Sequence, residues 1–153
     1  MKDRRNLHAK MQEYIDCYLE ADPQVELREI TRKGVEGDAT GDMTELALKY
    51  LALAVIHGVE EHAKVIGVVH EGDMDGSVVM KTAEEVQLPD PPTGLAREMA
   101  EVIRCIAGME AAEGQGSISC GFRQDRLELE VEGEQEASRE KVLLRIPSMK
   151  AGR

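Results

Sequence analysis

From Ile118 to Ile146 the chain alternates apolar and polar residues with a period of two, and this pattern narrows the fold more than any other feature. Ile118, Cys120 and Phe122 share one phase, as do Leu127, Leu129 and Val131, and then Val142, Leu144 and Ile146. A tight turn at Gln124-Asp125 would set Phe122 against Leu127, Cys120 against Leu129 and Ile118 against Val131. A slip of one residue would turn every apolar side chain to water, so the phase is firmly specified. The opposite phase carries Glu128, Glu130 and Glu132, and Lys141 and Arg145 can lie across from that row. An antiparallel sheet with one dry face and one wet face follows.

A second β region precedes it. Residues 64–70 and 77–83 are rich in Val, Ile and Met and flank Gly72-Asp73-Met74-Asp75-Gly76, which reads as a hairpin. Val86 and Leu88 extend the second of these strands before Pro89, Pro91 and Pro92 break the pattern.

Elsewhere the period is helical. Residues 3–21 carry Leu7, Met11, Tyr14, Ile15 and Tyr18 on one face, and Asp22-Pro23 stops that helix. The same pair can start a short helix over 22–33, with Asp22 as cap and Gly34 as terminator. Asp42 and Glu45 make a capping-box pattern ahead of a helix over 43–62. That helix is apolar nearly all round, with Lys49 the only charge between Leu46 and Ile56. It is expected to be the central helix, or one whose second face meets another subunit. Residues 94–111 give a further helix with a stripe of Leu95, Met99, Val102, Ile103 and Ile106.

The fold class expected is therefore α+β. It has two layers, a mainly antiparallel sheet of about five strands packed against three long or medium helices. One domain over 1–153 is expected, with a flexible loop at 34–42 and a tail at 148–153. At 153 residues such a domain can bury about 70% of its unfolded surface. Hydrophobic residues at 42% and charged residues at 32% give a globular rather than a disordered composition. Tyr14, Tyr18, Tyr50 and Phe122 are the only aromatics, so the core is aliphatic and base-stacking platforms are scarce.

The net charge of -11 narrows the partners. Residues 1–33 are neutral, so the deficit lies in 34–153, a body that repels phosphate. Nucleic acid and anionic membrane are not expected as partners. The basic start (Lys2, Arg4, Arg5, Lys10) reads as the solvated face of a helix. Cys17, Cys105 and Cys120 are odd in number and widely spaced, which disfavours a disulfide scaffold or a cysteine-rich zinc site. A reducing cytoplasm is the expected setting. The start of the chain has no apolar signal region, and the run from Tyr50 to Ile56 is too short to cross a bilayer.

Candidate chemistry centres on His57-Gly58-Val59-Glu60-Glu61-His62. His57 and Glu61 are four apart on one helix face. They could hold a divalent metal, or act as a base and its orienting partner, with His62 or His70 completing the set. Against this, the two histidines are five apart, about 140° around a helix, so they cannot both face one ion. The plainer reading is a helix end with His57 hydrogen-bonded at the core's edge. No organic cofactor is expected.

Other motifs read as structure. Asp73-x-Asp75-Gly76 opens like a calcium loop but lacks the later ligands, so it is a turn. The Gly/Asp/Thr loop at 34–44 precedes a helix but offers Asp38 and Asp42 where a phosphate cradle needs a lysine. Ser117, Ser119 and Ser138 sit in no nucleophile elbow. Cys17 and Cys105 read as small packing residues, and Cys120 as part of the dry sheet face.

Two functions fit. The first is a small non-enzymatic binding or assembly protein, self-associating as a homodimer through the 43–62 helix or a strand edge. It would have an unidentified protein or small-molecule partner. The second is a small metal-dependent or acid–base enzyme using His57 and Glu61.

Overall fold

The computed structural model of the chain describes residues 3–36, 43–72 and 75–147. Its elements run α1 (Arg4–Tyr18), α2 (Pro23–Glu36), α3 (Met43–Glu60), β1 (Val65–Glu71), β2 (Asp75–Lys81) and β3 (Glu85–Gln87). They continue with α4 (Leu95–Ala107), β4 (Gly114–Phe122), β5 (Asp125–Glu136) and β6 (Arg139–Arg145). The fold is α+β, with six strands in one antiparallel sheet ordered β3-β2-β1-β6-β5-β4. Two three-stranded meanders thus meet at β1 and β6.

The sixth strand arises because residues 82–88 turn back instead of extending β2. Thr82 makes a tight turn in which its hydroxyl accepts from the Glu84 amide, and β3 pairs with β2 at Met80 and Val86. The β4–β5 hairpin is also shifted from expectation. Phe122 pairs with Asp125, Cys120 with Leu127 and Ile118 with Leu129, so the loop is Arg123-Gln124. Arg123 adopts φ 58°, the left-handed geometry of a two-residue hairpin turn that glycine or asparagine usually signals. The shift is two residues, so every apolar side chain keeps its face.

The helices follow their caps. Asp3 accepts from the Arg5 and Asn6 amides, and Asp22 from those of Gln24 and Val25. Helix α2 runs past Gly34 to Glu36, since an interior glycine costs about 1 kcal/mol without forbidding the helix. Asp42, the tandem repeat at 37–44 up to residue 42, and Asp73 lie outside the described residues.

Helix α3 is the centre of the helical layer. From Leu48 to Ile56 its buried residues are essentially inaccessible, packed against α1, α2, α4 and β1. The surface that the sequence offered for a second subunit is occupied by helices of the same chain. Tyr50 lies fully inside, and its hydroxyl donates to the Pro89 carbonyl.

Helix α4 joins the two meanders. It must cross from the β3 edge to the β4 edge, five strand spacings or about 24 Å. Thirteen helical residues cover about 20 Å of that distance. The sheet has glycine where the helix passes closest. A Cβ on Gly76 would meet the Ala96 Cβ at 2.2 Å, and one on Gly116 would meet the Ala107 carbonyl at 2.9 Å. Among the described residues no helix is long and apolar enough to cross a membrane.

Candidate functional site

The four histidine-region candidates separate in space. His57 lies in the last turn of α3, only 3% exposed, with its Nε2 3.4 Å from the Gln24 carboxamide nitrogen on α2. The carboxamide nitrogen is the donor of that pair and the ring nitrogen the acceptor. Glu61 is exposed just beyond the helix, its own amide donating to the His57 carbonyl. His62 ends the helix. It adopts φ 58°, while its amide donates to Val59 and the Ala63 amide to Gly58, the paired bonds of a left-handed helix stop. His70 sits on β1, four residues of strand or about 13 Å beyond Ile66, the residue that packs over Gly58. Among the described residues no three His, Cys, Asp or Glu side chains come together as a metal site.

His70 instead belongs to a buried ionic cluster. Its Nε2 lies 2.7 Å from Glu140 Oε1 and its Nδ1 3.0 Å from the Gly72 carbonyl. The second carboxylate oxygen of Glu140 accepts from Arg104 of α4. His70 and Glu140 are cross-strand partners on the core face of β1 and β6. Both ring nitrogens thus face oxygen atoms, the Gly72 carbonyl and the Glu140 carboxylate. Burial pulls the Arg104 guanidinium below its ordinary pKa. No hydroxyl or thiol shares these bonds among the described residues, so the arrangement ties α4 to the middle of the sheet and lacks a nucleophile.

Sequence reasoning missed Glu140 and Arg104. Glu140 was detectable, because it falls in the same phase as Val142, Leu144 and Ile146, where a lone acid must find a buried partner. Arg104 carried no comparable signal.

The cysteines divide by burial. Cys17 is exposed, not packed, because it lies beyond the stripe of Leu7, Met11 and Ile15. Cys105 is half-buried. Cys120 is buried on the dry face, where desolvation first and Glu128 second push its thiol pKa up to about 11.

The remaining feature is the outer sheet face. A basin of about 500 Å³ opens there, with Val65, Val69, Val79 and Leu143 on its floor. Lys64, Lys81, Arg139, Lys141 and Arg145 line it, against one acid, Glu85. The next strand supplies the opposite sign. Glu130 stands across from Arg145, Glu134 from Lys141 and Glu136 from Arg139, and Arg145 reaches Glu132 at 2.8 Å. A column of cations thus runs beside a column of anions. The sequence showed the acidic column and two of the cations, but not that β1 and β2 would widen the basic side.

The strand edges are less open. At β4 the Gln12 side chain accepts from the Gly121 amide at 2.7 Å and donates to its carbonyl at 2.9 Å. His8 meets the Ser119 carbonyl on the same edge. At the other edge β3 is three residues long.

Compared with known proteins, the chain matches no family model and no curated sequence.

Proposed function

We propose that the chain is a small non-enzymatic binding or assembly module that works as a homodimer, in a reducing cytoplasm. The outer sheet face carries this reading. It keeps apolar side chains half-buried inside a rim of both charges. By contrast, the large apolar side chains exposed elsewhere among the described residues, Val25 and Met43, are isolated.

The contact surface moves accordingly. Self-association through residues 43–62 would require α1 or α2 to leave α3, and the β4 edge already has α1 as its partner. The sheet face needs no such rearrangement. Acid–base or metal-dependent chemistry at His57 and Glu61 has weaker support, because one group lies inside the core and the other outside it. Light scattering on a sizing column tests the proposal. A mass near twice the 16.9 kDa chain is expected at micromolar concentration. A strict monomer there removes it.

A further inference from the structure

Four charged residues of the sheet face, Glu71, Lys81, Glu130 and Arg139, are placed so that a second copy can match them. In cross-sheet register, one row reads Glu85, Lys81, Val65, Arg145, Glu130 and Ser117 from β3 to β4. The next outward-facing row has Gly67 on β1 beside Leu143 on β6. The last has Glu71 on β1 beside Arg139 on β6.

Two sheets packed face to face keep their strands within about 30° of one another. A twofold axis between them then lies close to the strands or close to perpendicular to them. The perpendicular axis stacks each strand on its own copy. It would lay the β5 glutamates on β5 glutamates and the β6 cations on β6 cations, which is repulsive. The parallel axis, placed between β1 and β6, lays β1 on β6, β2 on β5 and β3 on β4.

We infer that a second copy of this chain docks on the outer sheet face about a twofold axis parallel to β1 and β6. This rests on the homodimer reading and supplies its geometry. Lys81 of each copy faces Glu130 of the other, and Glu71 faces Arg139. Each Leu143 leans over its own Gly67, where a Cβ would meet the Leu143 Cδ2 at 3.3 Å, so the two Leu143 side chains meet near the axis. Lys81, Glu130, Glu71 and Arg139 are all exposed and make no ion pair among the described residues. They are therefore available to a partner.

Area is sufficient in magnitude. Five strands by seven residues and the three residues of β3 give roughly 600 Å² of flat sheet per copy, before side-chain relief, and a standard interface uses about 800 Å² per partner. The contact is isologous, so it closes at two copies.

Charge exchange tests the arrangement on the full-length chain. One variant carries Lys81→Glu with Arg139→Glu, and a second carries Glu71→Lys with Glu130→Lys. Each alone is expected to dimerise at least about 100-fold more weakly than the parent, since like charges then meet at all four facing pairs. An equimolar mixture is expected to regain a heterodimer within about 10-fold of the parent affinity, and the fourfold variant a homodimer. Circular dichroism confirms that each variant is folded, and all four positions are solvent-facing. If the parent dimerises and both single-sign variants dimerise equally well, the geometry is wrong while the homodimer reading stands. Loss of dimer in both without rescue on mixing also overturns it. A monomeric parent removes both.

Discussion

Gln12 pairs with Gly121 as a neighbouring strand would, through one accepted and one donated hydrogen bond. The carboxamide presents an N–H and a C=O side by side, which matches the free edge of a peptide group. Helix α1 thereby covers part of an edge that could otherwise recruit another strand. Gln12→Ala is expected to cost about 1–2 kcal/mol in urea unfolding, with faster hydrogen exchange at the Gly121 amide. Gln12→Glu loses the donor and is expected to be destabilising as well. An unchanged Gly121 exchange rate in Gln12→Ala would show that the edge is protected by other means.

His62 occupies the position where a helix stop favours glycine. A non-glycine residue in that geometry costs about 1–2 kcal/mol, and a glycine returns about 0.4–1 kcal/mol of that through a freer unfolded chain. His62→Gly is therefore expected to stabilise by roughly 0.5–1 kcal/mol, raising the melting temperature by about 1–4 °C. The side chain is exposed, so little packing is lost. A lower melting temperature would assign His62 a stabilising contact, and a metal-dependent one would restore it as a ligand.

The fold was legible where a single physical signal dominated. Period-two patterning set the faces of β4, β5 and β6, because a buried face tolerates no odd slip. The apolar girdle of α3 announced its central position. What could not be read was which elements would cover it, since α1 and α2 are as plausible from pattern as a second subunit. The β4–β5 register was missed because Arg123 takes a left-handed conformation without a glycine to mark it. The histidine cluster failed for a different reason. Sequence spacing linked His57 to Glu61, while His70 gained its carboxylate from Glu140, seventy residues away across the β1–β6 pairing. Long-range pairing of two central strands leaves almost no local trace.

Glu140 serves two buried partners at once, Arg104 and His70. Removing it in Glu140→Ala leaves Arg104 and the His70 ring short of an acceptor, and about 3–5 kcal/mol of stability is expected to be lost. Replacing all three together, as His70→Phe, Arg104→Met and Glu140→Leu, removes the desolvation cost along with the attraction. That triple variant is expected to lie within about 1–2 kcal/mol of the parent or above it. Chemical unfolding of the two variants separates a charge network held for its geometry from one held for net stability. Equal losses in both would mean that the cluster contributes energy beyond satisfying its own members.

Cys120 gives the pH dependence with the clearest sign. Its thiol is raised from an ordinary 9.0 to about 11, so the folded state holds a proton that the unfolded chain releases earlier. Stability from this group is complete below pH 9 and falls as the pH rises toward about 11. A shift of that size corresponds to about 2–3 kcal/mol. The parent is therefore expected to lose about that much more stability than Cys120→Ala between those limits, measured by urea unfolding at a series of pH values. Thiol labelling supplies an independent check. At pH 8 the exposed Cys17 reacts first and the half-buried Cys105 more slowly, while Cys120 reacts only on unfolding. Rapid labelling of Cys120 in the folded protein would mean that β4 opens readily, and that α1 does not hold the sheet edge as the Gln12 contact implies.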